Sequence, residues 1–343
     1  ARTGDLAPAD RPDSSSATSG AKEREVSMES DGLTIHGTVR QPDGLAEQSV
    51  PLVIILAGSG PTDRDGNSAM LPGRNDGLKE LAGALGERGI ATLRYDKRGV
   101  GASTTPGLRE EDQLFTDLIN DLLRWIVWAS EQTSVSGIYL AGHSEGGLVV
   151  LAAMGQTGGP DRLAALGIDP ELAGKARDAV DGVVTVAAPG RRFDEVTLSQ
   201  LAESLGETST LYAAAKDIFA ALANDQPVPQ APQELASLFR ASVYPYLRSI
   251  IEFDPEELAA GVAQPMLVVA GDQDIQVPVS DAEALAAAGG STELVTIDGM
   301  NHVLKIVPDG DMQANQKSYY DPSFELAAPL VDAISGFVAD AEE

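Results

Sequence analysis

Near the middle of the chain, Gly142-His143-Ser144-Glu145-Gly146-Gly147 sets glycines on both sides of a serine as G-x-S-x-G. Small residues there permit a sharp strand-to-helix turn. Such a turn lifts a hydroxyl clear of a sheet and sets it at a helix N-terminus, where backbone N–H groups favour developing negative charge. The bland alternative is a turn that merely needs glycine. A serine hydroxyl attacks a carbonyl only when a base takes its proton, so the pattern calls for a histidine and a carboxylate to orient it. The chain has only 3 histidines. His36 lies in an N-terminal hairpin, and His143 is the variable residue of the serine motif, its side chain expected to turn away from the hydroxyl. His302, in "IDGMNHVLK", follows a strand end and is the candidate base. For the carboxylate, "VVAGDQDIQVP" offers Asp274 first and Asp272 second, although aspartates at such places also serve as caps and turn residues. The chemistry these types support is nucleophilic acyl transfer.

Acyl transfer also needs donors for a tetrahedral oxyanion. One is expected from the backbone N–H of Glu145, which follows the serine, and the other from the loop "AGSGPTDRDGN". There Gly58 and Gly60 let the backbone approach a substrate closely. Ser59 is the assigned donor and Gly60 the alternative, while a plain turn of Gly, Pro and Asp is the competing reading. Other motifs carry less. "RYDKRGVGAS" lacks both the G-x-G-x-x-G spacing and the Lys-Ser/Thr of a phosphate loop, so Asp96 and Arg98 read as turn-fixing residues. No histidine–carboxylate spacing suited to a metal occurs, and Glu256 and Glu257 read as a solvated helix face.

Side chains this far apart need a scaffold that gathers them. "PLVIILAG", "IATLRYD", "GIYLAG", "VDGVVTVAAPG", "QPMLVVAGD" and "TELVTIDG" are short, mostly continuous apolar runs, as in strands covered on both faces. "REVSMES" and "LTIHGTVRQ" around Asp31-Gly32 read as a hairpin. Between strands lie helical stripes. Asp76 is the expected cap of a helix carrying Leu78, Leu81 and Leu85, and Leu114, Leu118, Leu122 and Ile126 mark a second. The last helix is expected to begin near Asp321 and Pro322. This alternation predicts an α/β fold: a mainly parallel sheet of about eight strands, the first pair antiparallel, with helices on both faces. In such sheets reactive groups gather at the C-terminal ends of strands. From 191 to 261 the strands stop and the pattern is helical, punctuated by prolines. That is too long for a loop, and it predicts a helical cap inserted into a core formed by 24–190 and 262–343. Its aromatics Phe239, Tyr244 and Tyr246 are candidates for the acyl pocket, or equally for the cap's own core. A smaller insertion is expected over 155–179.

The 343 residues suffice for a sizeable core. With 52 acidic against 24 basic residues the formal net charge is −28, which repels phosphate backbones and anionic membranes and so speaks against a nucleic-acid partner. No apolar run is long enough to span a bilayer. Zero cysteines exclude disulfides, thiolate metal sites and cysteine nucleophiles. Residues 1–23 read as a polar, disordered leader. The first residue is Ala rather than Met, as in a mature form that has lost a signal peptide, and a trimmed chain would look the same. The expectation is a secreted or periplasmic setting, with the cytoplasm as alternative.

Together, "LAGSGPTDRDGN", "ATLRYDKRGVGAS", "GHSEGG", "GDQDIQVPVSDAE", "GMNHVLK" and "LFRASVYPYL" resemble the bacterial α/β-hydrolase family that contains the EstD-type carboxylesterases, close to the serine aminopeptidase-like hydrolases. The likeness runs from about Glu25 to the C-terminus. It implies an α/β-hydrolase fold with Ser144, Asp274 and His302 as triad and the "AGSG" loop as part of the oxyanion hole. It also implies hydrolysis of short-chain acyl esters without a cofactor. The chain order Ser, Asp, His agrees with that fold. Between 155 and 179 the chain is longer than the family pattern. Two rivals stand beside an esterase: a serine aminopeptidase or acyltransferase using the same triad, and a non-catalytic hydrolase-like binding protein.

Overall fold

The computed structural model describes residues 23–42, 45, 48–155 and 158–342. Apart from Glu23, the expected leader lies outside the described residues. β1 (Glu23–Ser30) and β2 (Leu33–Arg40) form the predicted hairpin, turned at Asp31 and Gly32 with φ of 51° and 81°. Positive φ at both turn residues matches the right-handed twist of the strands. The remaining strands are β3 (Val50–Leu56), β4 (Ala91–Tyr95), β5 (Val135–His143), β6 (Gly182–Val186), β7 (Met266–Gly271) and β8 (Thr292–Ile297). All eight join one sheet in the order β1-β2-β4-β3-β5-β6-β7-β8. β2 runs antiparallel to both β1 and β4, and from β4 to β8 every pairing is parallel.

The helices are α1 (Gly77–Glu87), α2 (Phe115–Ser130), α3 (Glu145–Met154), α4 (Gly159–Ala165), α5 (Pro170–Ala179) and α6 (Phe193–Leu205), then α7 (Thr210–Ala223), α8 (Tyr244–Ile250), α9 (Pro255–Gly261), α10 (Val279–Ala288), α11 (Met312–Ser318) and α12 (Ala328–Glu342). The period-2 geometry of a strand sends successive side chains to opposite faces. Leu52, Ile54 and Leu56 of β3 therefore join the core built with α2 and α3, while Val53 and Ile55 join the core under α1 and α12. That is why β3 reads as a continuous apolar run. Burying each such side chain stabilises by roughly 1.5–3 kcal/mol, more than an exposed ion pair supplies. Among the described residues no helix is long and apolar enough to cross a membrane.

Two local expectations change. Asp76 does precede α1, but its φ is 51° and its carboxylate caps no helix N–H. Instead Asn67 and Arg74 donate to it, and Asn75 Oδ1 accepts from Gly77 N at 2.8 Å. The final helix starts at Ala328, not near Asp321. The intervening chain, largely turns, is pinned by backbone bonds, Ile306 N donating to Glu325 O and Ala327 N to Leu304 O, which tie it to the turn after His302. Asp321 instead accepts from Ser323 N and pairs with Lys317. Within 155–179 lie α4 and α5, and between β6 and β7 the described residues form helices and turns without a strand.

Candidate active site

Ser144 stands between β5 and α3 with φ 54° and ψ −122°. This is a costly backbone conformation for a residue with a side chain, and it persists only where the surroundings enforce it. They do so by crowding. A Cβ on Gly142 would clash with the Gly146 carbonyl oxygen, and one on Gly146 would lie 2.8 Å from the carbonyl oxygens of both Leu56 and Ala57. Only glycines let β5, β3 and α3 approach this closely. Serine is among the best N-cap residues because its hydroxyl ordinarily bonds a helix N–H. Here the Ser144 side chain makes no such bond, although the residue occupies the N-cap position. Its backbone is held instead, the N–H donating to Val186 O at 2.9 Å and the carbonyl accepting from Gly147 N at 2.9 Å.

His302 follows β8 and is 5% exposed, so little water competes for its ring. Nδ1 lies 2.8 Å from Asp274 Oδ2, and the other carboxylate oxygen accepts from Gln276 N at 2.7 Å and Val277 N at 2.9 Å. A carboxylate only accepts, so Nδ1 carries the proton, and in the neutral ring Nε2 is left with its lone pair. Asp272, the second choice from the sequence, is exposed and accepts from Gly299 N at 2.7 Å, holding the turn that leads to His302. His143 is not idle: its Nε2 donates to the His302 carbonyl at 2.7 Å, and the two rings are 5.0 Å apart. Burial, with His302 nearby, pushes the His143 imidazole down to about 4. The residue before the serine thus touches the residue that carries the candidate base, and both share one corner of the molecule.

The loop after β3 crosses the same corner. A Cβ on Gly58 would lie 3.0 Å from Ser144 Cβ and 3.3 Å from His143 Nδ1. Asp96 anchors this loop, accepting from Arg64 N at 2.8 Å and Arg64 Nη2 at 3.0 Å. Arg98 forms a two-pronged pair with Asp121 at 2.8 and 2.7 Å, so both residues of "RYDKRG" that the sequence marks as turn-fixing are fully occupied. Among the described residues neither the Ser59 N–H nor the Glu145 N–H has an acceptor. Ser59, Gly60, Ser144 and Glu145 line a cleft of about 810 Å³. Val196 and Leu201 of α6 and Tyr246 of α8 line it as well.

Of the three aromatics expected in the pocket, only Tyr246 lines the cleft. Phe239 is buried edge-on against Phe219 at 5.1 Å, and the Tyr244 hydroxyl donates to the Phe239 carbonyl at 3.0 Å. Both belong to the packing among these helices, because a ring so placed is spent on its own neighbours. Burial and the adjacent Glu145 carboxylate push the Tyr246 phenol well above its ordinary range. The sequence reading missed the contact of His143 with the His302 carbonyl, Lys97 and the α6 residues of the cleft. For Lys97 a signal existed, since a lysine directly beyond a parallel strand's C-terminal end sits where such sheets keep reactive groups.

The profile of the Alpha/beta hydrolase family matches residues 53–310. Esterase EstD of Thermotoga maritima is 29% identical over 290 residues, covering 81% of this chain and 60% of that protein, so the chain spans 60% of the length of that relative. Among solved structures, Est1E from Butyrivibrio proteoclasticus with ferulic acid bound is 21% identical, with a TM-score of 0.56 over 92% of this chain and 99% of that one. A complex of DcsB with its substrate analogue is 17% identical, with a TM-score of 0.56 over 93% and 99%. Both structures share the fold.

Proposed function

Since this chain belongs to the Alpha/beta hydrolase family, we propose that it is a serine carboxylesterase that cleaves short-chain acyl esters through an acyl-enzyme. His302 Nε2 takes the proton of Ser144 as its oxygen attacks the ester carbonyl. Asp274 keeps the imidazole in the right tautomer and stabilises its cation. The N–H groups of Glu145 and Ser59 bind the oxyanion, each worth about 3–4 kcal/mol in the transition state. The imidazolium then protonates the leaving alcohol, and water repeats the sequence on the acyl-enzyme to release the acid. Residues 191–261 act as a cap whose α6 and α8 close the cleft. The observation that carries this reading is the 2.8 Å bond of His302 to Asp274, together with a serine held at φ 54° at the head of α3 whose side chain makes no helix-cap bond.

The short-chain preference is what the resemblance to the EstD-type carboxylesterases implies. The cleft has room for the acyl and alcohol parts of a small ester; Leu118, Leu148, Leu201 and Leu247 make much of its lining apolar, and Glu110, Gln113, Gln200 and Arg240 also face it. A long alkyl chain laid along those polar groups would gain no hydrogen bonds in return for the water it displaced. Ser144→Ala is expected to lower turnover of p-nitrophenyl acetate by a factor on the order of 10⁵–10⁶ while the far-UV circular dichroism is kept. A fluorophosphonate probe is expected to label Ser144 by peptide mapping, and p-nitrophenyl acetate and butyrate to outpace the decanoate. A label elsewhere, or an unimpaired alanine variant, sinks the assignment.

A further inference from the structure

Lys97 is a largely buried cation that the proposed chemistry does not use. It lies just beyond β4, its side chain 11% exposed, with Nζ donating to the Gly58 carbonyl oxygen and standing 3.7 Å from the Glu145 carboxylate, itself 7% exposed. Burial pulls the Lys97 ammonium below its ordinary value, and Glu145 opposes that pull. Each partner is covalently next to one expected oxyanion donor. The Gly58 carbonyl and the Ser59 N–H belong to one peptide unit, which is planar and trans, so the two groups point in opposite directions. A cation gripping the carbonyl from one side turns the N–H to the other and polarises it into a stronger donor. Glu145 carries the second donor on its own backbone at the first position of α3.

We propose that Lys97 is a positioning residue for the oxyanion hole: it locks the Gly58–Ser59 peptide so that the Ser59 N–H faces the developing oxyanion, and through Glu145 it ties that peptide to the first turn of α3. The sheet order explains why one lysine reaches both. β4, β3 and β5 are neighbours, so the segments following their C-terminal ends, which carry Lys97, Gly58 and Ser144–Glu145, converge. The inference rests on the esterase reading above. Lys97 also lines the cleft, so contact with substrate is the competing role, and that role would register in KM.

The test compares wild type, Lys97→Met and Lys97→Gln with p-nitrophenyl butyrate, with folding followed by circular dichroism. Removing one oxyanion donor outright costs about 10²–10³ in kcat, so mis-aiming it is expected to lower kcat in Lys97→Met roughly 10- to 100-fold with KM within about threefold. Lys97→Gln, which can still donate to Gly58 but without charge, is expected to lose less. Affinity for a trifluoromethyl ketone, which forms an oxyanion-bearing adduct, is expected to weaken in step with kcat, while that for the matching methyl ketone is kept. A kcat within about threefold of wild type, a loss confined to KM, or equal weakening of both ketones overturns the role. If Lys97→Met does not fold, Lys97→Leu, which likewise cannot donate to Gly58, is judged by the same criteria. A wild-type chain that neither hydrolyses esters nor takes a fluorophosphonate at Ser144 removes the esterase reading and this inference with it. A wild type that does both, with variants that match it, removes only the role of Lys97.

Discussion

Asp274 spends both carboxylate oxygens, one on the backbone of Gln276 and Val277 and one on His302, with 1% of its side chain exposed. That commitment separates it from Asp272, which sits two residues away in a stretch where either could have served. Local pattern narrowed the choice to two, and only the direction of each side chain decided between them. His143 shows the opposite limit. Its position inside the serine motif said only that its side chain should turn away from the hydroxyl, and it is the fold that sets its ring against the His302 carbonyl. A protonated imidazole costs more there than in the unfolded chain, because the folded-state value is about 4 against an ordinary 6.5. Between those values the unfolded chain binds a proton that the folded one refuses. The resulting penalty is absent above pH 6.5 and grows as pH falls toward 4, to roughly 3 kcal/mol. The melting temperature is therefore expected to drop between pH 7 and pH 5 by more in wild type than in His143→Gln, which keeps a donor but does not titrate. Equal drops would remove His143 as the cause.

At the scale of elements, the turn from β5 into α3 depends on absent side chains. Gly142→Ala would drive a methyl group into the Gly146 carbonyl, and overpacking of this kind typically costs 1–3 kcal/mol or more. The expected result is a fall in melting temperature together with lost esterase turnover, since the serine moves with the turn. Gly174 in α5 is the contrast: nothing lies within 4 Å of a Cβ placed there, so Gly174→Ala is expected to stabilise by about 0.5–1 kcal/mol in urea unfolding. If the two alanines have the same effect, crowding is not what the turn requires. Element identity was legible because apolar runs and helical stripes are short-range signals. Boundaries were less so. α12 begins later than Asp321 and Pro322 suggest because that segment makes backbone bonds to the turn after His302, a partner remote in sequence. Asp76 lost its capping role to Asn75 for a similar reason, since Asn67 claims its carboxylate.

Over the whole molecule, a net charge of −28 sets a repulsion that folding must overcome. Added salt screens charges beyond a Debye length of about 10 Å at 0.1 M, so the melting temperature is expected to rise from 10 to 300 mM NaCl. A fall would mean that exposed pairs such as Arg109 with Asp112 outweigh the repulsion. The alternation of strands and helices, the glycines around Ser144 and the position of His302 beyond a strand end were all determined by the sequence, because each is written in residues adjacent along the chain. Strand order is not so written. It is tertiary structure that puts β3 between β4 and β5, and so brings Lys97, Gly58 and Glu145 into one cluster. The same holds for the aromatics of 191–261. Whether Phe239, Tyr244 or Tyr246 faces the cleft depends on how short helices pack against one another, and interchangeable rings carry no local mark of which neighbour they will meet.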